Sequence, residues 1–128
     1  MAEEINYGQA EIGGFVQRSG TGEFSFEPDE ARAAVREIDA FIKGLSASRL
    51  SIRNGETVTG FGTLPSGIEL QEGFRNKANS AGNAINQLIQ GAMQVQEGFL
   101  RSAGLLEDAD DLSARRIALA DRATEDGQ

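Results

Sequence analysis

The chain of 128 residues contains no cysteine, no histidine and no tryptophan. Without cysteine there is no disulfide framework, no thiolate nucleophile and no thiolate metal ligand. Without histidine the commonest general base and the commonest metal ligand are missing as well. Most enzyme chemistry is thereby excluded, and the expectation is a non-enzymatic protein with no catalytic residue, no metal site and no cofactor. Positive charge is also short, with 12 Lys+Arg against 20 Asp+Glu and a formal charge of -8. Nucleic-acid affinity rests on neutralising phosphates with cations, and anionic membranes attract basic surfaces in the same way, so neither is an expected partner. Apolar residues make up 39% of the chain, enough to fold but with a thin core.

The charge that is present is unevenly placed. Residues 1–27 hold five acids and one base, and residues 106–128 hold seven acids and three bases, so each end carries -4. The middle, 28–105, holds eight of each and is neutral. Two acidic ends around a balanced centre predict a folded middle with flexible, solvated termini, the C-terminal one, 106–128, being an acidic tail for which a helix is the alternative. The opening Met-Ala-Glu-Glu has neither a basic leader nor an apolar run, so no cleavable secretory signal is expected. Gly8, Gly13, Gly14, Gly20 and Gly22 break the first segment into pieces too short for a stable helix. Residues 1–27 therefore read as irregular, with Phe15, Phe24 and Phe26 available to pack on the middle.

A first helix is expected over about 28–52. Pro28 suits the first helical position, Asp29 and Glu30 favour the positive end of the helix dipole, and Ala31, Val35, Ile38, Phe41, Ile42, Leu45 and Ile52 recur at helical spacing. Residues 53–65 carry three glycines and a proline, including Gly60-Phe61-Gly62, and read as the turn. A second helix follows over 66–105, opened by Ser66-Gly67-Ile68-Glu69, which fits a capping box.

The second helix carries the strongest periodic signal. Phe74, Ala78, Ala81, Ile85, Leu88, Ala92, Val95 and Phe99, continued by Ser102 and Leu106, are spaced 4, 3, 4, 3 throughout. A strict seven-residue alternation keeps one seam on one long neighbour and implies left-handed, coiled-coil-like packing, here against the first helix. Gly73, Gly82, Gly91 and Gly98 cost helix stability, which close packing should offset. Between Lys77 and Glu97 there is no charge, but eight of those nineteen residues are Asn, Gln or Ser, which removes a membrane-span reading. Ile85, Ile89, Met93 and Leu100 form a second apolar line beside the seam. Ile89, Met93 and Leu100 are the candidate partner face, since interface cores are depleted of charge; coverage by the N-terminal segment is the equal alternative. On this reading Leu88→Asp or Phe99→Asp abolishes folding, whereas Ile89→Asp spares the hairpin and breaks a complex. The second helix is the longer, so its overhang must bend near Gly104, be covered by the tail, or bind something else.

Other motifs are weak. Asp108-Ala109-Asp110 starts like a calcium loop, but Ser113 and Leu119 stand where Gly and Glu are needed. Gly20-Thr21-Gly22 and Gly60-Phe61-Gly62 lack the length and the lysine of a phosphate loop.

Two long helices around a Gly-aromatic-Gly turn, followed by an acidic segment, resemble the small helical-hairpin substrates of bacterial type VII (ESX) secretion, in particular the EspC-like subgroup of the Trp-x-Gly (WXG) superfamily. The residues that carry the resemblance are Phe26-Glu27-Pro28-Asp29-Glu30-Ala31, Gly60-Phe61-Gly62 and Leu106-Glu107-Asp108-Ala109-Asp110. Phe61 stands in place of the tryptophan, Thr63 in place of the following glycine, and Leu106 at the tyrosine of the export motif, with Asp110 at its acid. The resemblance implies an all-α antiparallel two-helix hairpin that completes a four-helix bundle with a partner. That partner is another helical-hairpin protein or a copy of itself, and a secretion ATPase is a further implied contact. It also implies a cytoplasmic protein that becomes secreted or envelope-associated on export. The alternative from another class is a helical structural or scaffold subunit, such as a phage virion or assembly component.

Overall fold

A computed structural model describes residues 7–126, with side chains as far as Arg122. It is all-α: α1 Gln9–Ser19, α2 Pro28–Glu56, α3 Pro65–Ser102 and α4 Leu106–Asp126. Pro28 and Pro65 each sit in the first turn of their helices, where a missing N–H costs nothing. Because Pro65 fixes the start, Leu64 is the cap residue and no side-chain cap bond forms; Ser66 lies inside the helix and the expected capping box is absent. The first long helix runs to Glu56, past the expected end at 52. Gly55, which reads as a breaker, is a contact point instead: a Cβ there would lie 2.9 Å from that of Ala78.

α3 is the spine. The other three helices each pack on it, and among the described residues no other pair packs backbone to backbone. α2 runs opposite to α3, since Gln96 Nε2 donates to the Val35 carbonyl at 2.9 Å and to Asp39 Oδ1 at 2.8 Å near one end while Gly55 meets Ala78 near the other. α4 also runs opposite to α3, tied by Arg101 to Asp110 at 3.3 Å and Arg116 to Glu97 at 2.6 Å. α1 runs parallel to α3, from Gln9 on Gln87 through Ile12 at Gly91 to Phe15 at Gly98.

The N-terminal segment expected to be irregular and the acidic tail, for which a helix is the alternative to a flexible end, are both helices docked on α3. The first is α1. Its eleven residues are too few to stand alone, but Gly91 and Gly98 leave hollows into which Ile12 and Phe15 fit. Phe15, Phe24, Phe26 and Phe99 then form one aromatic cluster with ring centroids 5.2 to 5.6 Å apart. The second is α4, which turns back at Gly104. There the φ of +76°, the Leu105 N–H to Leu100 carbonyl bond at 2.8 Å and the Gly104 N–H to Arg101 carbonyl bond at 3.1 Å make a Schellman motif. Of the three fates open to the overhang, the tail covers it.

The core lies on α3's C-terminal half: Ile89, Met93 and Leu100 with Ala109 and Leu112 of α4, ringed by Val35, Ile42, Leu45, Ile85, Leu105 and Leu119. The candidate partner face is therefore internal. Ile89 is 5% exposed, Met93 8% and Leu100 5%, because α4, read from its acidity as a solvated tail, supplies the apolar residues that close over them.

Candidate functional site

The two apolar lines of α3 are offset by one residue: Ile89, Met93, Gln96 and Leu100 in one, Leu88, Ala92, Val95 and Phe99 in the other. At 3.6 residues per turn one residue is about 100° of rotation, so a helix that buries one line turns the other to its flank. The first line takes the core. None of Phe74, Ala78, Ala81, Ile85, Leu88, Ala92, Val95 and Phe99 is fully buried, and of these only Ile85 packs against the core cluster. Phe99 is capped by Phe15 and Phe26. The stretch from Phe74 to Val95 remains a half-open apolar stripe, and between Lys77 and Glu97 its helix carries no charge.

Toward the turn the stripe opens into a groove of about 470 Å³ between α2 and α3, floored by Ala78 and Ala81 and walled by Ile52, Gly55, Phe61 and Phe74. Phe74 is 54% exposed, and Leu70 beside it 55%. The turn closes one end of the groove. Gly60 and Gly62 have φ of +95° and +85°, which only glycine adopts without strain, and they deliver Phe61 onto Phe74 with centroids 5.5 Å apart. A Cβ at Gly67 would collide with the Phe61 carbonyl, and Arg75 Nε donates to the Val58 carbonyl at 2.9 Å. Gly60, Phe61 and Gly62 thus anchor the turn on α3.

Leu106 and Asp110 lie in the first turn and a half of α4. Leu106 is 56% exposed, because Gly104 ends α3 before the seven-residue line reaches it. The Asp110 side chain, 72% exposed, pairs with Arg101.

The polar groups that sequence reasoning missed are interior. Gln96 is 1% exposed and bonded to α2 through its Nε2, while its Oε1 has no partner. Glu97 is 3% exposed and is held by Arg116. The local spacing favours Arg101, four residues on, as the partner of Glu97, but Arg101 is taken by Asp110, and only the return of α4 brings Arg116 into reach. A second groove, of about 500 Å³, lies where all four helices converge over Ile12, Ile89 and Leu119. Its lining holds Arg49 and Arg122 and, among the described residues, no carboxylate, so it offers no acid–base pair. Among the described residues no group of acidic side chains gathers as metal ligands, and no helix is long and apolar enough to cross a membrane.

No family model, no curated protein and no solved structure matches the chain.

Proposed function

We propose that the chain is a non-enzymatic helical protein that acts by helix-to-helix pairing, as a substrate of type VII secretion or as the small secretion partner of a larger effector. The observation that carries the pairing is the apolar stripe of α3, which keeps a coiled-coil repeat from Phe74 to Val95 with none of its residues fully buried. A seven-residue repeat is useful only against another long helix. Two helices brought to it by a partner would complete a four-helix bundle with α2 and α3. The secretion reading rests on the Gly60-Phe61-Gly62 turn and on the acidic α4, whose Leu106 and Asp110 lie at the surface where a secretion ATPase would engage them.

Export from a host with a type VII system tests it. Leu106→Ala with Asp110→Asn leaves the core untouched, so the variant should fold and accumulate in the cytoplasm while the unaltered chain reaches the medium. Equal export of both, or export of neither, removes the secretion reading.

A further inference from the structure

We infer that the groove where the four helices converge is a binding site for an aliphatic carboxylate of the fatty-acid class, with the apolar chain on the groove floor and the carboxylate on its arginines. The inference goes beyond the helix-pairing reading and does not depend on it. At about 500 Å³ the groove falls within the range of about 300–1,000 Å³ usual for small-molecule sites, which in helical proteins lie between packed helices. Its floor is aliphatic, formed by Ile12 of α1, Ile89 of α3 and Leu119 of α4. Such a floor selects a methylene chain, because each methylene taken from water gains hydrophobic free energy, whereas polar groups laid on it would lose their hydrogen bonds.

The charge of the lining has one sign. Arg49 of α2 and Arg122 of α4 face no carboxylate among the described lining residues, in a chain whose net charge is -8. That contrast disfavours a cationic ligand and selects an anion. Neither arginine forms an ion pair among the described residues, whereas Arg101 and Arg116 on the same side of the molecule are engaged by Asp110 and Glu97. The forked donors of a guanidinium match a carboxylate, and the side-chain amides of Asn86 and Gln94 in the same lining add neutral donors. Depth sorts the two halves of the ligand. Ile89 is 5% exposed, while Arg49 is half-buried and Arg122 exposed, so the chain enters between the helices and the carboxylate stays toward water.

Calorimetric titration of the full chain with dodecanoate, kept below its micelle concentration, tests this. Binding should saturate at one ligand per chain, and each methylene removed from the ligand should weaken it by up to about fourfold. Dodecanol, with the same chain and no charge, should bind more weakly. Arg49→Gln should weaken dodecanoate roughly tenfold, and Arg122→Gln, at an exposed position, by less; neither should change the affinity for dodecanol. Ser46→Phe places a ring in the groove from an exposed position of α2 and should abolish binding with an unchanged helical circular dichroism. Arg53→Gln, outside the groove, should bind as the unaltered chain does. Because the ligand touches all four helices, amides of α1 should gain protection from hydrogen exchange when it is bound. The absence of saturable binding overturns the inference, as does equal affinity for dodecanol and dodecanoate. Loss of binding in Phe74→Ser with Arg49→Gln unaffected also overturns it, since that result puts the acid on the apolar groove near the turn.

Discussion

At the scale of single residues, the two apolar lines of α3 carry different loads. Ile89 touches the α4 residues that close the core and is 5% exposed. Ile89→Ala should therefore cost about 2–5 kcal/mol, the transfer term plus an unfilled cavity. Leu88, one residue away, is only half-buried and lies outside the core cluster, so Leu88→Ala should cost the isolated chain less than the low end of that range. The aspartate variants follow the same order: Ile89→Asp should prevent folding and Leu88→Asp should leave a folded monomer, the reverse of what the seven-residue repeat implies. Denaturant unfolding at low protein concentration, with circular dichroism, checks both. Glu97 belongs at this scale too. A carboxylate 3% exposed is tolerated because Arg116 reaches it at 2.6 Å; a buried charge without such a partner is strongly destabilising.

At the scale of elements, glycines on α3 do opposite things according to what faces them. In an exposed helix interior Gly→Ala gains about 0.5–1 kcal/mol from backbone entropy. Gly73 has nothing within 4 Å of a built Cβ, so Gly73→Ala should raise stability by that amount. Gly98 is buried under the Phe15 ring, which a Cβ would overlap. Gly98→Ala should lose stability despite its better helix propensity, and the loss should concentrate in α1, whose Phe15 occupies the space the new methyl would take. Native-state hydrogen exchange reads this directly: amides of α1 should lose protection in Gly98→Ala and keep it in Gly73→Ala.

At the scale of the whole molecule, α3 is a spine whose three neighbours, among the described residues, meet one another backbone to backbone only through it. Around its C-terminal half α1, α2 and α4 all pack, while toward the turn α2 accompanies it. Burial follows this asymmetry, with every fully buried residue of α3 lying at Gly82 or beyond and the exposed Leu64, Ile68, Leu70 and Phe74 at the opposite end. Removing residues 105–128 should uncover Ile89, Met93 and Leu100 together. The shortened chain should bind an apolar dye such as ANS and lose its sharp thermal transition while keeping much of its helical signal. A truncated chain that melts as cooperatively as the full one would show that α4 is dispensable to the core.

The sequence by itself determined the two long helices and one turn. Pro28 and Pro65 mark the starts of α2 and α3, the 3.6-residue periodicity carries both, and Gly60-Phe61-Gly62 joins them, because these are local effects of φ restriction and side-chain spacing. It also showed that α3 has two apolar lines and that its glycines needed company. Which line faces inward was not legible, since both satisfy a helical period and differ by a single residue. That choice needs the other elements in place. α4 looks like a solvated acidic tail when its charges are counted, yet Ala109, Leu112 and Leu119 on one of its faces cover Ile89, Met93 and Leu100. α1 looks too broken by glycine to be a helix until Gly91 and Gly98 offer it a surface. Tertiary structure decided these points because burial is a property of pairs of surfaces: the face of α3 that gains most is set by the helices that return to it, and those returns depend on Gly104 and Phe15, neither of which is a member of the repeat they overrule.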